Sequence, residues 1–460
     1  MDSFIATDST KKLEFITKAK KLRPIYFIVV VWGERYTDYF LNFCIAALLS
    51  PNNIPALHNR EKNKILISTT HEDWDAMQIR PIFNLLKQYL EPVLVAIPSC
   101  PDGLSSCVHM GIGHKLATEI AFKERAYAVL LTPDLILSDG TISAVQRRAV
   151  EGYHVVLTAA MRFGEEPLFE NLNKLGVANI HSNFAKDGNP LIVSGRQLVW
   201  AGIRSFHSET IKYGFESDCF SDFPVACWWH VPEEDGVLVH CLSWAPLLVD
   251  YNAIEHHDSS MLDNWTIDGD YIYKNFGNSE NVYVCYDSDE MMLVSWAPMN
   301  DRPQSLSPRN ILKNKFLGNF IRKLIIYETF NNKVFDPLKR KIFFNAVKWH
   351  SKDLNLTWNV IESKTKNILF SALGIHQKDK KVFKNKLNLY FYLFNKTLFY
   401  SFRIFSNFIF RFIRIFNYYW AGKWRISKVL FDGLRGDPIA RNRIKRNLLN
   451  LKLQLTGKSQ

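Results

Sequence analysis

Carboxylates stand close together at three places in the sequence. They are Asp134 with Asp139, Asp268 with Asp270, and Asp287 with Asp289 and Glu290. Two carboxylates on one turn can chelate a divalent cation, and such a cation neutralises a diphosphate leaving group. The same residue types also form ordinary solvated turns. Whether chemistry takes place here therefore depends on the elements that carry these side chains.

Asp134 ends the apolar run AYAVLLTPD (126–134), which is typical of a buried strand. A carboxylate in that position costs free energy unless it faces a ligand crevice, so Asp134 is a candidate for binding. Asp139 stands just before a helix predicted from about Thr141, and capping of that helix explains it more simply than binding does.

Asp268 and Asp270 precede Tyr271-Ile272-Tyr273. Aromatic faces beside carboxylates suit sugar rings, whose hydroxyl groups donate to the carboxylate, although a plain turn explains the pair equally well. The acids of YDSDE (286–290) lie between two apolar runs, where a solvated hairpin turn is favoured over a ligand role.

Strand-like and helix-like segments alternate through the first third of the chain. The apolar runs cover residues 24–33, 64–70, 91–98, 126–134 and 154–161. This alternation predicts an α/β fold, a mostly parallel sheet flanked by helices, with ligands at the carboxyl ends of the strands. Beyond about residue 165 the pattern predicts appended mixed strands, paired by tight turns within 236–251, 266–276 and 281–298.

The charge is unevenly distributed. Residues 1–306 contain 25 Lys/Arg and 38 Asp/Glu, whereas residues 307–460 contain 32 and 7. The acidic part suits cations or neutral polyols, and the basic part suits an anionic surface. We therefore predict an N-terminal extension over 1–23, a catalytic domain over 24–305 and a basic, aromatic helical region over 306–460.

Residues 380–431 contain 11 Lys/Arg and no acid. In a helix, Lys396, Arg403, Arg411 and Arg414 would share one stripe, with Phe side chains over much of the remainder. This predicts a helix lying on an anionic membrane surface. Packing of the aromatic face on the catalytic domain or on a second copy of the chain is the alternative, and nucleic-acid binding ranks lower.

Neither a signal peptide nor a run of 18 apolar residues is visible. The seven cysteines form no C-x-x-C pair, which is typical of reduced thiols. We therefore expect a cytoplasmic protein that associates peripherally with the inner face of the membrane.

Four segments carry a resemblance to known proteins. They are residues 32–57, 130–157, 266–272 and 282–290. Their order resembles the nucleotide-sugar-dependent glycosyltransferases of the GT-A type, and more narrowly a bacterial group labelled only as glycosyltransferases. The likeness covers about residues 24–300 and rests on motif order rather than on one diagnostic string.

The resemblance implies a D-x-D motif that binds the metal and diphosphate of the donor. Asp134 matches its last acid, but Thr132 stands at its first, so dependence on Mn²⁺ or Mg²⁺ is left open. His240 is a candidate for the metal-binding or donor-contacting histidine of such enzymes, with a core histidine bonded to a backbone carbonyl as the alternative. Trp32, Gly33 and Tyr36 follow the first strand, where such folds hold the nucleotide base, and core packing of the two aromatics is the alternative.

Three further roles follow from the resemblance. Asp268 or Asp270 would be the catalytic base, and Asp139 would assist donor binding. The glycines of Gly111-Ile112-Gly113 would offer amides to phosphate, although flexibility at the entry of a helix explains them as well.

The expected function is transfer of a sugar from a nucleoside diphosphate donor to a surface-glycan or glycolipid acceptor. A lipid-linked acceptor would explain why an acidic, sugar-binding domain is followed by a basic region that binds membranes. The alternative is a non-catalytic scaffold or sugar-nucleotide-binding protein of the same fold.

Overall fold

The chain divides into two units, residues 1–376 and residues 377–460. The computed structural model describes residues 2–177, 188–277, 280–299, 301, 308–330 and 337–373. The first unit continues past residue 305, where the charge shift predicted a domain boundary. The predicted membrane-binding segment, 380–431, lies outside the described residues. No helix within the described ranges is long and apolar enough to cross a membrane.

The strands of the first unit form one large sheet and two small ones. In chain order the strands are β1 Ile25–Val30, β2 Lys64–Thr69, β3 Glu91–Ala96, β4 Tyr127–Leu131, β5 Leu135–Leu137, β6 Val155–Ala159, β7 Arg162–Gly164, β8 Ala226–Val231, β9 Gly236–Cys241, β10 Trp244–Asp250, β11 Val282–Val284, β12 Leu293–Ala297 and β13 Val347–His350. The strand orders are β11-β6-β10-β4-β1-β2-β3, β5-β12-β7 and β13-β9-β8.

The large sheet is mostly parallel. β1 pairs in parallel with β2 and β4, β2 pairs in parallel with β3, and β11 pairs in parallel with β6. β10 alone runs antiparallel, between β4 and β6. Every residue of β1 and β4 is buried, which is typical of parallel strands covered on both faces. The predicted α/β fold with a mostly parallel sheet is confirmed.

Helices surround the three sheets. They are Asp2–Lys21, Glu34–Tyr39, Ala46–Leu48, His71–Gln78, Pro81–Leu86, Ser106–Lys123, Thr141–Val150, Glu165–Lys174, Gly195–Ile203, Ser208–Ile211, Gly269–Phe276, Asn310–Lys313, Lys315–Phe330, Pro337–Phe344 and Leu356–Leu373. A π-helical turn, Phe40–Ile45, joins the second helix to the third. Helix Ser106–Lys123 lies against β1, β2, β3 and β4.

The strands predicted to pair with each other in the second half of the chain pair with other strands instead. β9 and β10 are joined by only two residues, yet β9 pairs with β8 and β13 while β10 enters the large sheet. β11 and β12 likewise belong to different sheets. β10 is buried along most of its length, so its apolar side chains are better covered between β4 and β6 than in an exposed hairpin.

The segment TIDGDYIYKNF (266–276) also differs from its prediction, because it forms a helix rather than a strand. Asp268 caps helix Gly269–Phe276, and Ile272 and Phe276 share its buried face at a spacing of four residues.

Candidate functional site

Several loops meet at the carboxyl-terminal edge of the parallel strands. β1 ends just before Trp32, β4 just before Asp134, and β6 three residues before Arg162. Because β10 is antiparallel, its first residue, Trp244, pairs with Ala159 at the end of β6 and so lies at the same edge. This edge is where ligands collect in such sheets.

The N-terminus of helix Gly269–Phe276 approaches the same edge. A Cβ on Gly269 would lie 3.0 Å from the carbonyl oxygen of Leu242, which comes two residues before β10. Asp268, the residue that caps this helix, therefore stands near the start of β10 and the end of β6.

Asp134 is a half-buried carboxylate between β4 and β5. Its Oδ2 accepts a hydrogen bond of 3.1 Å from the Ser295 hydroxyl. Burial raises the pKa of Asp134 to about 6, although hydrogen bonds from its own amide, Thr132 and Ser295 and the charge of Arg162 act in the opposite direction. The protein therefore holds a charge where desolvation disfavours it, a combination found often at functional sites.

Arg162 supplies positive charge beside this carboxylate. In the sheet β5-β12-β7, Ser295 pairs with Leu135 on one side and with Arg162 on the other. Two strand spacings put the backbones of Leu135 and Arg162 about 10 Å apart. Arg162 is exposed, and no hydrogen bond or ion pair joins its guanidinium to another side chain in the described part of the chain. The cation is therefore available to an anionic ligand.

Sequence reasoning missed Arg162. A usable signal was present, because the residue directly follows HVVLTAAM (154–161), a predicted strand of the parallel sheet. Its pairing with Ser295 is a long-range contact that the sequence does not reveal.

The aromatic residues after β1 differ in how much surface they offer. Tyr36 is 47% exposed, and its pKa is raised by burial and then by the charge of Asp134. Trp32 is half-buried and packs edge-on against His109, with ring centres 4.7 Å apart. Gly33 has a positive φ of 78° and donates its amide to Asp73 Oδ2 at 3.0 Å. Tyr36 is thus the more accessible ring for a ligand, and Gly33 is required by the backbone of the turn.

Asp139 lies at the far end of β5 from Asp134, and its carboxylate is occupied. It accepts hydrogen bonds from the backbone amide of Asn52 at 2.8 Å and from the side-chain amide at 2.7 Å. The cap of helix Thr141–Val150 is instead supplied by Asn53, whose Oδ1 accepts from the amides of Gly140 and Ile142. Asp139 therefore neither joins Asp134 in a donor site nor caps the helix.

His240 lies on β9, outside the large sheet, and is fully buried. Its Nδ1 is 3.0 Å from the carbonyl oxygen of Phe343, and its Nε2 is 3.0 Å from the hydroxyl of Thr365. Burial lowers the pKa of His240 to about 4, so the ring is neutral. Because both nitrogens are hydrogen-bonded inside the core, neither is left to bind a metal with Asp134.

The two candidate bases, Asp268 and Asp270, have different surroundings. Asp268 Oδ1 accepts the amides of Asp270 at 2.8 Å and Tyr271 at 3.3 Å, and burial raises the pKa of Asp268. The side chain of Asp270 is 80% exposed and lies 3.8 Å from the Lys339 ammonium. Within the described ranges, no hydrogen bond or ion pair links either carboxylate to Asp134. Asp268 is the better-placed base, since it is half-buried at the edge of the sheet.

The glycines of Gly111-Ile112-Gly113 do not open a helix. Helix Ser106–Lys123 begins five residues earlier, so the amides of these glycines lie inside it. A Cβ on Gly111 would lie 2.2 Å from the carbonyl oxygen of Leu262, and one on Gly113 would lie 2.6 Å from the Val30 side chain. These glycines allow close packing, and the predicted phosphate contact is wrong.

A second cluster of potential ligands lies after β11. One ligand atom each from Asp287, Asp289 and His350 falls within 4.8 Å of the others. His350 Nε2 contacts Asp287 Oδ1 at 2.9 Å, and Arg196 forms a two-pronged ion pair with Asp289 at 3.0 and 2.8 Å. Although burial lowers it, the pKa of His350 is raised overall by Asp287. The ion pairs among these residues account for the cluster without a metal.

Comparisons with known proteins identify no family for this chain. No protein-family model matches the sequence, and no curated protein matches it. Among solved structures, the chain is similar to an enzyme described as a glucose-1-phosphate thymidylyltransferase from Bacillus anthracis, crystallised with sucrose. The identity is 11%, the match covers 32% of this chain and 57% of that chain, and the TM-score is 0.19. The match spans less than two thirds of that enzyme, and at this score the likeness carries no argument about activity.

Proposed function

We propose that this chain transfers a sugar from a nucleoside diphosphate donor to a hydroxyl group of a surface-glycan or glycolipid acceptor. The observation that carries the proposal is the half-buried Asp134 at the carboxyl end of β4, with its raised pKa and with Arg162 across β12. A diphosphate fits between such groups, because its charge needs a cation while its metal or ribose needs a carboxylate.

In the reaction, the acceptor oxygen attacks the anomeric carbon of the donor and the bond from that carbon to the diphosphate breaks. Arg162 stabilises the negative charge that develops on the leaving diphosphate. In an inverting transfer, Asp268 takes the proton of the acceptor hydroxyl, a role favoured by its raised pKa. Tyr36, nearly half exposed beside Asp134, is placed to stack on the nucleotide base.

A metal ion fits this scheme only in part. Mg²⁺ is commonly held by one or two carboxylates together with substrate phosphates, and Asp134 can serve as that single carboxylate. His240 does not fit, since both ring nitrogens are bonded within the core. When bound, a divalent ion would neutralise charge on the diphosphate.

The experiment is a thermal-shift screen of the full chain against nucleoside diphosphates, with and without Mn²⁺, followed by assay of donor turnover. Arg162→Gln should weaken binding of the best nucleotide at least tenfold, about the strength of a charge-assisted hydrogen bond. Arg60→Gln is the matched control, since Arg60 is exposed and lies four residues before β2, at the opposite, amino-terminal edge of the parallel strands. If no nucleotide raises the melting temperature and no donor is consumed, the proposal is wrong.

The second candidate is a non-catalytic protein that binds sugar nucleotides. Two observations favour it: Thr132 stands where the first acid is expected, and Asp268 already caps a helix. This candidate predicts nucleotide binding that depends on Arg162 with no turnover of any donor.

A further inference from the structure

An apolar and basic surface lies at the start of helix Lys315–Phe330. We call it the Phe316 patch and define it as Ile311, Lys313, Lys315, Phe316 and Leu317. The side chain of Phe316 is 87% exposed, Ile311 is 46% exposed and Leu317 is 42% exposed. Single exposed apolar residues are normal, but a cluster of three within seven residues is typical of a surface that binds a partner or a membrane.

The turn that carries the patch is held firmly. Asn314 Oδ1 accepts the backbone amides of Phe316 at 3.1 Å and Leu317 at 3.0 Å. Beneath the turn, the Leu312 side chain is buried and its carbonyl oxygen accepts from Arg322 at 3.1 Å. The apolar side chains are therefore presented to solvent by a fixed backbone rather than by a loose end.

The patch carries surplus positive charge. The sequence has no acid between residues 302 and 327. The neighbouring acid Asp222 is paired with Arg309 at 2.6 Å, and Arg322 lies near Glu216 and Asp218. Lys313 and Lys315 are exposed, and neither forms an ion pair with a described residue. Two ammonium groups thus flank the apolar side chains, and no acid in the described part of the chain pairs with either of them.

We propose that the Phe316 patch binds the surface of an anionic lipid bilayer. Phe316 and Leu317 enter the boundary between headgroups and acyl chains, while Lys313 and Lys315 meet the anionic headgroups. Protein interfaces are depleted in lysine, which argues against a protein partner. Residues 377–460 contain 19 Lys/Arg and three Asp/Glu, so their net charge does not complement that of the two lysines.

The test is co-sedimentation of the full chain with phosphatidylcholine vesicles, with and without phosphatidylglycerol. The double change Phe316→Asp and Leu317→Asp should weaken binding to the anionic vesicles at least tenfold. The change Lys313→Gln should weaken it about fivefold at low salt, and this loss should shrink as salt is added. The matched control is Ile79→Asp, since Ile79 is 79% exposed on another helix end, and its binding should equal that of the wild type.

Three outcomes would overturn the proposal. In the first, the double variant sediments with anionic vesicles as well as the wild type does. In the second, Ile79→Asp loses as much binding as the double variant, which would make the effect one of net charge. In the third, the double variant lowers the melting temperature by several degrees without vesicles, which would mean that another part of the chain covers the patch.

Discussion

The negative charge of Asp134 lowers the stability of the folded chain. Its pKa is raised to about 6 in the folded chain, above the ordinary value of 3.8. The folded state therefore holds the proton more tightly than the unfolded state does, and stability falls as the pH rises between these two values. A protein gains nothing in stability from such a residue, which is why Asp134 is a candidate for function.

The first prediction concerns Asp134→Asn. At neutral pH this change should raise the free energy of unfolding by about 1–2 kcal/mol, because it removes a poorly solvated charge, and it should abolish donor binding or turnover. Below about pH 4 the gain should vanish, since Asp134 is then protonated. Denaturant melts across this pH range measure the effect, with Asp270→Asn as the exposed control. A loss of stability at neutral pH would contradict the cause given for the raised pKa.

The second prediction separates two roles of Asp268. Asparagine caps helices as well as aspartate does, so Asp268→Asn should leave the melting temperature nearly unchanged while removing the proposed catalytic base. Asp268→Ala should lose the cap as well, at about 1 kcal/mol. Thermal melts and donor assays of both variants check this. Full activity in Asp268→Asn would show that the residue is only a cap.

The sequence predicted some of the candidate site residues and missed others. Asp134 was found because a carboxylate at the end of an apolar strand is unusual. The sequence left two interpretations open for Asp139 and His240, and their partners explain why: Asn52 is 87 residues from Asp139, and Thr365 is 125 residues from His240. Contacts that distant leave no local pattern.

At the scale of elements, Asn53 connects three segments. Its Oδ1 caps helix Thr141–Val150, and its Nδ2 donates to the carbonyl oxygens of Ala47 and Ser138 at 2.9 and 3.2 Å. The side chain is fully buried. It therefore fixes the loop after helix Ala46–Leu48 against the end of β5.

The third prediction follows from this connection. Asn53→Ala should lower the free energy of unfolding by about 2–3 kcal/mol, since it leaves buried amides and carbonyls without partners. Asn52→Ala, which removes one exposed contact with Asp139, is the control and should cost less than 1 kcal/mol. Urea melts compare the two. Equal losses would mean that the cap contributes nothing beyond local packing.

Elements with a strong local pattern were predicted well, and their partners were not. The apolar runs of β1, β2 and β4 and the helices between them gave the parallel part of the sheet. β10 was predicted as a strand, but its insertion between β4 and β6 was not predicted. The sequence of a strand that is buried on both faces does not indicate which strands lie beside it. The helix at Gly269–Phe276 was missed because its Tyr-Ile-Tyr run resembles a strand.

At the scale of the whole molecule, the described residues of the basic region, which lie within 308–373, belong to the same unit as the acidic part. β13 pairs with β9, and a second apolar core joins the two parts of the chain. Its members before residue 306 are Phe215, Phe220, Cys227 and Trp229, and those after it include Leu312, Ile326, Phe330, Phe343 and Leu369. The change in charge near residue 305 therefore does not mark a change in packing.

The fourth prediction compares two truncations. A fragment of residues 1–376 should melt cooperatively and remain soluble, because it keeps both halves of the second core. A fragment of residues 1–305 should aggregate or melt at a much lower temperature, since it exposes Trp229 and the free edge of β9. Circular dichroism melts and size-exclusion chromatography distinguish them. A cooperative, monomeric 1–305 fragment would show that the folded domain ends where the charge changes.

The position of β10 also affects how the chain is made. On the ribosome, β4 and β6 emerge long before the strand that must lie between them. Until residue 250 is synthesised, β4 has an open edge, and β6 has an apolar surface with no correct neighbour. Premature pairing of these two strands would have to be undone before the sheet could close. The nascent chain should therefore depend on chaperones during this interval more than its final architecture suggests.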